Sequence, residues 1–256
     1  MELPPGDISP WVQMLSKTLY EINSTRAPVE NWEEVSLLAD SHFEFFRYAI
    51  NYLSAHGGAS QNFQDAWASF RCAGAHHNDA FFVEFGAFDG VYSSNTIRLQ
   101  RESYRTWRGI LAEPNPQWSE TLRKERAGPG ISINTSHCVT GRTGELVDFV
   151  VTADPLFSGI GPAGPSFKLP TISLNDLLRM YNAPSRIDFM SVDTEGSEYE
   201  ILRCFDFHAW NVRNICVEHN FLPAREDIYR LMTANGYRRE FEAFSRWDDF
   251  YTKEKL

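Results

Sequence analysis

The sequence predicts an α/β fold: a mostly parallel central sheet with helices on both faces, preceded by an N-terminal helical extension. Three observations carry that expectation. From Phe81 onward, short apolar runs alternate with helical patterns. The first run, Phe81-Phe82-Val83, is apolar without alternation, as a strand buried on both faces is. Several runs end in a glycine turn or a carboxylate, at the strand end where open α/β sheets collect ligands.

Composition bounds the rest. The chain has 256 residues, 43% of them hydrophobic, enough for one large domain or a domain with an extension. The expected division is 1–58 for an arm and helical extension, and 59–256 for the main domain. The net charge of −10 repels phosphate backbones, so nucleic acid is not an expected partner. Four cysteines, Cys72, Cys138, Cys204 and Cys216, form no CxxC pair and read as free thiols of a reducing compartment. The start, Met1-Glu2-Leu3-Pro4-Pro5, lacks a basic region followed by an apolar stretch. No run approaches the roughly 18 apolar residues of a membrane span. A cytoplasmic protein with no membrane partner is expected.

The elements follow in order. Residues 1–30 read as an arm with a short helix over Pro10–Asn23. A helix spans about Asn31–His56, with Trp32, Val35, Leu38, Phe45, Phe46, Ala49, Ile50 and Leu53 at three- and four-residue spacings, stopped by Gly57-Gly58. Gln61–Cys72 is a second short helix. Strand Phe81–Phe85 leads to a helix over Ser93–Tyr104. Then come strand Gly109–Ala112, helix Pro116–Arg126 and strand Ile131–Val139. An added strand covers Glu145–Val151, and Asp154–Pro165 is a Gly/Pro-rich loop whose Ser158–Pro162 portion is a candidate lid. Helix Ser173–Tyr181, strand Ile187–Val192, helix Ser197–Cys204 and strand Ile215–Glu218 continue the alternation. Helix Pro223–Asn235 and strand Tyr237–Phe241 close it.

Four constellations bear chemistry. In Glu84-Phe85-Gly86-Ala87-Phe88-Asp89-Gly90 the glycines permit a tight turn and close approach of a ligand. The spacing is not GxGxxG, and the acids oppose a pyrophosphate, which argues against a nicotinamide oxidoreductase. They suit a cation such as a sulfonium compound with an amino-acid ammonium group. An ordinary strand-to-helix turn is the plain alternative. Glu113 ends the next strand, placed to accept both hydrogen bonds of a ribose diol or simply to be solvated. Asp193 and Glu195 stand at a third strand end, where they can take a hydroxyl proton, hold a cation or grip a cofactor. Glu198 and Glu200 read as acids favoured at a helix start. Glu218 and His219 end a fourth run. His219 is a candidate base or merely hydrogen-bonded, and Asp193, Glu195, Glu218 and His219 are candidate ligands of a divalent ion. The His76-His77 pair names no metal site.

Taken in order, Ser60-Gln61-Asn62-Phe63-Gln64-Asp65, Val83–Gly90, Ser94-Asn95-Thr96, Gly109–Pro116, Asp193–Tyr199 and Glu218-His219-Asn220 resemble the FkbM family of methyltransferases. The likeness runs from about Ser60 to Trp247-Asp248-Asp249-Phe250-Tyr251. It implies a class I, Rossmann-like methyltransferase fold using S-adenosylmethionine, with a sugar or natural-product hydroxyl as the methyl acceptor. It also implies roles: Glu84, Gly86, Ala87 and Asp89 at the methionine end, and Glu113 with Pro114 at the ribose. Asn95 and Thr96 complete the pocket, Ser136 and His137 meet the adenine, and Asp193 stands at the reactive edge. The N-terminal extension is a candidate cover or homodimer contact. The alternative is a non-catalytic interaction module that keeps the fold.

Overall fold

The computed structural model describes residues 32–73, 79–102, 105–152, 158–161, 164–242 and 246–253, and of residues 32–43 the helical course alone. The expected arm, the His76-His77 pair and Pro162 of the candidate lid lie outside these residues. The elements are α1 (Trp32–His56), α2 (Gln64–Cys72), β1 (Asp79–Phe85), α3 (Ile97–Gln100), β2 (Thr106–Ala112), α4 (Ser119–Arg126), β3 (Ile131–Asn134), β4 (Cys138–Thr140), β5 (Leu146–Val150), β6 (Gly159–Ile160) and β7 (Ser166–Ser173). They continue as α5 (Leu174–Met180), β8 (Arg186–Ile187), β9 (Phe189–Val192), α6 (Glu198–Arg203), β10 (Asn211–Val212), β11 (Asn214–Glu218), α7 (Ala224–Ala234), β12 (Tyr237–Glu240) and β13 (Asp248–Lys253).

The central sheet has the order β12-β13-β11-β9-β1-β2-β3. β11, β9, β1, β2 and β3 are mutually parallel, and β13 runs antiparallel between β11 and β12. The pleat sorts its side chains into two cores. Phe81, Val83 and Phe85 of β1, Met190 and Val192 of β9, and Ile215 and Val217 of β11 join one apolar cluster with Leu177, Ile201 and Ile228 of α5, α6 and α7. Phe82, Leu111, Phe189, Cys216 and Phe250 point the other way and join Phe45, Leu53, Trp67 and Leu122 of α1, α2 and α4. Trp67 stacks on Phe250 at 4.9 Å, and Phe45 on Phe241 at 5.0 Å. A sheet covered on both faces explains the unbroken apolar runs of β1, β9 and β11. Gly109 serves the same packing: a Cβ there would lie 2.4 Å from the Phe82 ring.

The structure revises several expected elements. The predicted helix over Ser93–Tyr104 is only α3, because Ser93 takes φ +56° and Ser94, Asn95 and Thr96 turn their polar groups to Glu84. The predicted strand Ile131–Val139 is two strands in two sheets, since the turn after β3 is held by the Asn134 side chain. β4, β7, β5 and β6 form a second sheet that the alternation did not reveal. β7 begins Ser-Phe-Lys-Leu-Pro and pairs with both β5 and β4, although the preceding loop rich in Gly and Pro masks it in the sequence. β13 is also new. Its Asp248 and Asp249 are buried, which an acidic pair in a sequence does not advertise.

The two ends of the family-like stretch meet in this sheet. Gln64 donates to Asp248 Oδ2 at 2.9 Å, and Ser60 donates to Asp65 Oδ1 at 2.6 Å, so the Ser60–Asp65 motif braces β13.

Candidate active site

The carboxyl ends of β1, β2, β9 and β11 open into a cavity of about 230 Å³. Gly86 and Phe88 line it from the turn after β1, Glu113 and Pro114 from the end of β2, Asp193, Thr194 and Glu195 from the turn after β9, and Glu218 from β11. Asn95 and Gln61 add polar wall. Val139, Phe149 and Ile160 of the second sheet close the far side. Gly86 decides how two of these turns meet. It has φ +70°, and a Cβ would stand 2.1 Å from the Asp193 carbonyl oxygen. Only glycine permits that approach. Four lining residues, Phe88, Ser93, Glu195 and Asn220, also hold left-handed backbone, so strain gathers at the cavity.

Glu84 stands behind this wall, 2% exposed. It accepts from the Asn95 amide at 2.7 Å, from the Ser94 hydroxyl at 3.2 Å and from the Thr96 hydroxyl. The fully buried Arg126 lies 3.7 Å away and donates to Thr96 Oγ1 at 2.8 Å and Gly90 O at 2.9 Å. A buried carboxylate must have its charge met within the fold. Glu84 and Thr96, expected in the pocket, are therefore its backing. Asp89 is likewise drawn into its own turn, where Oδ1 accepts from Val91 and Tyr92 amides at 2.8 and 2.7 Å. Ala87 is buried and ties to Ala112 O at 3.2 Å. Asn95 does reach the cavity. Its Nδ2 donates to Ser191 Oγ at 2.8 Å, and its buried Oδ1 has no partner.

Glu113 faces the cavity while holding two turns together. Oε2 accepts from the Phe88 amide at 3.0 Å and Oε1 from the Asn115 amide at 2.8 Å. Each oxygen keeps lone-pair capacity for a further donor. Burial pushes its carboxyl up to about 7, against these two hydrogen bonds. The expected adenine residues are displaced: Ser136 is exposed and His137 is held by Asn134, and neither lines the cavity. Cys138 and Val139, in β4 of the second sheet, do.

Asp193, Glu195 and Glu218 converge, each offering an oxygen within 4.8 Å of the others. Burial raises the carboxyls of Asp193 and Glu218, Asp248 adds repulsion at Asp193 and Asp193 adds it at Glu218, and the two side chains hydrogen-bond to each other. Glu198 is the strut of this turn: it accepts from the Thr194 and Gly196 amides at 2.8 and 3.0 Å, the helix-start role expected of it. Glu200 pairs with Arg203 on the surface.

His219 does not join the three acids. It is 4% exposed, its Nδ1 accepts from the Phe221 amide at 2.9 Å, and its Nε2 lies 3.7 Å from Asp249. The free lone pair that a base or metal ligand needs is already engaged, and burial lowers its basicity. The expected base and metal roles of His219 are corrected accordingly. Its neighbours Glu218 and Asn220 face the cavity instead, as alternation along a strand end requires.

Sequence reasoning missed the aromatic and apolar lining. Phe88 packs on Trp118 at 4.2 Å, and Tyr92, Phe149 and Trp247 complete the wall. Phe88, Tyr92 and Trp247 lie outside helices and strands and carry no periodic signal. The Ser158–Pro162 segment, expected as a lid, does contribute Ser158, Gly159 and Ile160, two of them as strand β6 against β5.

The five parallel strands, the antiparallel β13 set between β11 and β12, and the cavity at the strand ends define a class I, Rossmann-like methyltransferase fold. A family model for the methyltransferase FkbM domain matches residues 74–239, more than half of the chain. The chain belongs to the FkbM methyltransferase family. Among curated proteins none matches it significantly. Similar solved structures include a precorrin-6y C5,15-methyltransferase from Geobacter metallireducens, 13% identical, covering 73% of this chain and 84% of that one, with a TM-score of 0.42. A TehB-like S-adenosylmethionine-dependent methyltransferase from Corynebacterium glutamicum is 10% identical, covering 84% of this chain and 100% of that one, with a TM-score of 0.41. Among the described residues no helix is long and apolar enough to cross a membrane.

Proposed function

We propose that this chain transfers a methyl group from S-adenosylmethionine to a hydroxyl oxygen of a sugar or natural-product-like small molecule. One observation carries the reading. A carboxylate suited to a diol, Glu113, and a cluster of acids, Asp193, Glu195 and Glu218, face one cavity from the two sides of the Gly86 turn. The residues present fit the cofactor. Glu113 has acceptor capacity left for ribose hydroxyls, Phe88, Val139 and Phe149 offer apolar surface to a base, and the acidic wall suits a cationic sulfonium and ammonium. When bound, S-adenosylmethionine supplies an electrophilic methyl group.

The chain's own contribution is positioning and proton handling. The acceptor enters over the β9 and β11 ends, and its hydroxyl lies against the acids. Asp193 or Glu195 takes the hydroxyl proton as the oxygen attacks. Holding that oxygen in line accounts for much of the acceleration. Calorimetry with S-adenosylhomocysteine tests the cofactor half of this reading. Transfer of labelled methyl to a panel of sugar, polyketide, peptide and lipid hydroxyls tests the other. No binding at millimolar ligand would favour the non-catalytic module that keeps the fold.

A further inference from the structure

We infer that Asp193, Glu195 and Glu218 form a binding site for one divalent metal ion of the hard, oxygen-seeking kind, Mg²⁺, Mn²⁺ or Ca²⁺. The inference deepens the proposed hydroxyl methylation, on which its catalytic meaning rests, because it places a cation where the acceptor oxygen must lie.

The geometry is that of an ion's inner sphere. Carboxylate oxygens bind these metals at roughly 2.0–2.6 Å, so two ligands on opposite sides of one ion stand about 4–5 Å apart. The three carboxylates offer oxygens that all lie within 4.8 Å of one another. All donors are hard oxygens, with no thiol and no imidazole among them, since His219 turns to Asp249. The three come from two strand ends, β9 and β11, held in register by direct pairing, so the fold brings them together without help from an ion.

A second observation points to a missing positive partner. Glu218 is 7% exposed, and its Oε2 meets no hydrogen-bond partner. Its hydrogen bond to Asp193 joins two acids and brings no positive charge, and buried acceptors such as Oε2 are rarely left so. Asn95 repeats the pattern in the same cavity: it is 5% exposed, Ser191 fixes its amide nitrogen, and its Oδ1 is unpartnered. The buried cation Arg126 is committed to Glu84, Gly90 and Thr96. Glu198 is buried nearby, but two backbone amides satisfy it, so it is not counted as a ligand.

The ion's chemistry would suit the site. A hydroxyl bound to such an ion would lose its proton more readily, with the second oxygen of a ligating carboxylate, Asp193 or Glu195, as the acceptor. No electron transfer is involved: the O–H bond breaks to the carboxylate, the new bond forms from oxygen to the methyl carbon, and the sulfur keeps the electron pair.

Titration of the metal-free protein with Mn²⁺, followed by calorimetry and by loss of the free-ion paramagnetic resonance signal, tests the inference without any turnover. The expected result is one ion per chain, with Glu218→Gln and Glu195→Gln each weakening binding by about tenfold or more. Far-ultraviolet circular dichroism and melting curves that match the wild type show that both variants are folded. Absence of Mn²⁺ binding at millimolar ion, while S-adenosylhomocysteine still binds, overturns the metal site and leaves the methyltransferase reading standing. Mn²⁺ binding that neither variant weakens overturns it as well. So does mutual exclusion of Mn²⁺ and S-adenosylhomocysteine, since the acids would then hold the cofactor's ammonium. Mn²⁺ binding with no S-adenosylhomocysteine binding would support the ion site and remove the cofactor reading instead.

Discussion

Glu113 and Gly86 show how single residues hold this site. Glu113 satisfies the Phe88 and Asn115 amides, so its replacement does more than remove a ligand contact. Glu113→Ala should cost about 1–3 kcal/mol of stability by leaving those amides unpaired. It should also weaken S-adenosylhomocysteine binding by about tenfold or more, the equivalent of at least one lost hydrogen bond. Urea denaturation beside calorimetry separates the two effects, and unchanged affinity would remove the ribose role. Gly86→Ala drives a Cβ into the Asp193 carbonyl, so the turn must open. A loss of roughly 1–3 kcal/mol is expected, with loss of cofactor binding, and near-wild-type melting would refute the close approach.

At the scale of elements, β1, α3 and α4 are locked by one buried ion pair. Arg126 at the end of α4 answers Glu84 in β1, and both reach the segment that opens α3. Arg126→Met should cost about 3–5 kcal/mol, because it strands a buried carboxylate. Adding Glu84→Gln should restore part of that loss, and a double mutant as unstable as the sum of its singles would show that the two do not interact. α5 carries a simpler signal. Ser173 accepts from the Asp176 amide at 3.1 Å, and its replacement by alanine should cost about 1 kcal/mol in a denaturation experiment. The helix it opens was readable in the sequence, as were β1, β2, β9, β11 and α7. The Ser93–Thr96 turn was not, because its serine, asparagine and threonine suit a helix start as well as a buried turn. Only Glu84 and Arg126 choose between them.

The whole molecule buries more acid than base around its site, and this sets its response to pH. Burial raises Glu113 and Asp248 to about 7, and it raises Asp65 and the Asp193 and Glu218 pair as well. An acid raised in the folded state binds its proton more tightly there than in the unfolded chain. Its stabilising contribution is full below the unfolded value and is lost as pH rises through the folded one. For Glu113 and Asp248 that window runs from about 4 to about 7. Asp249 is lowered by Arg225 despite its burial, so it acts oppositely in stronger acid. The metal-free protein should therefore be most stable in mildly acidic solution and lose stability toward neutrality. Melting curves that rise steadily from pH 5 to 8 would contradict this.

The sequence by itself determined the alternation of strands and helices, the glycine turn after β1, and the carboxylates that close β2, β9 and β11. Those are local properties: apolar period, turn chemistry and the residue that ends a strand. The tertiary structure alone decided which acids face the cavity. Glu84 was captured by nearby side chains, an amide and Arg126, Asp89 by the amides of its own turn, and His219 by the Phe221 amide, while Glu218 was left facing Asp193. It also added the second sheet and its apolar wall. The physical reason is that a side chain's chemistry depends on which donors reach it first, and those donors come from segments far away in the sequence.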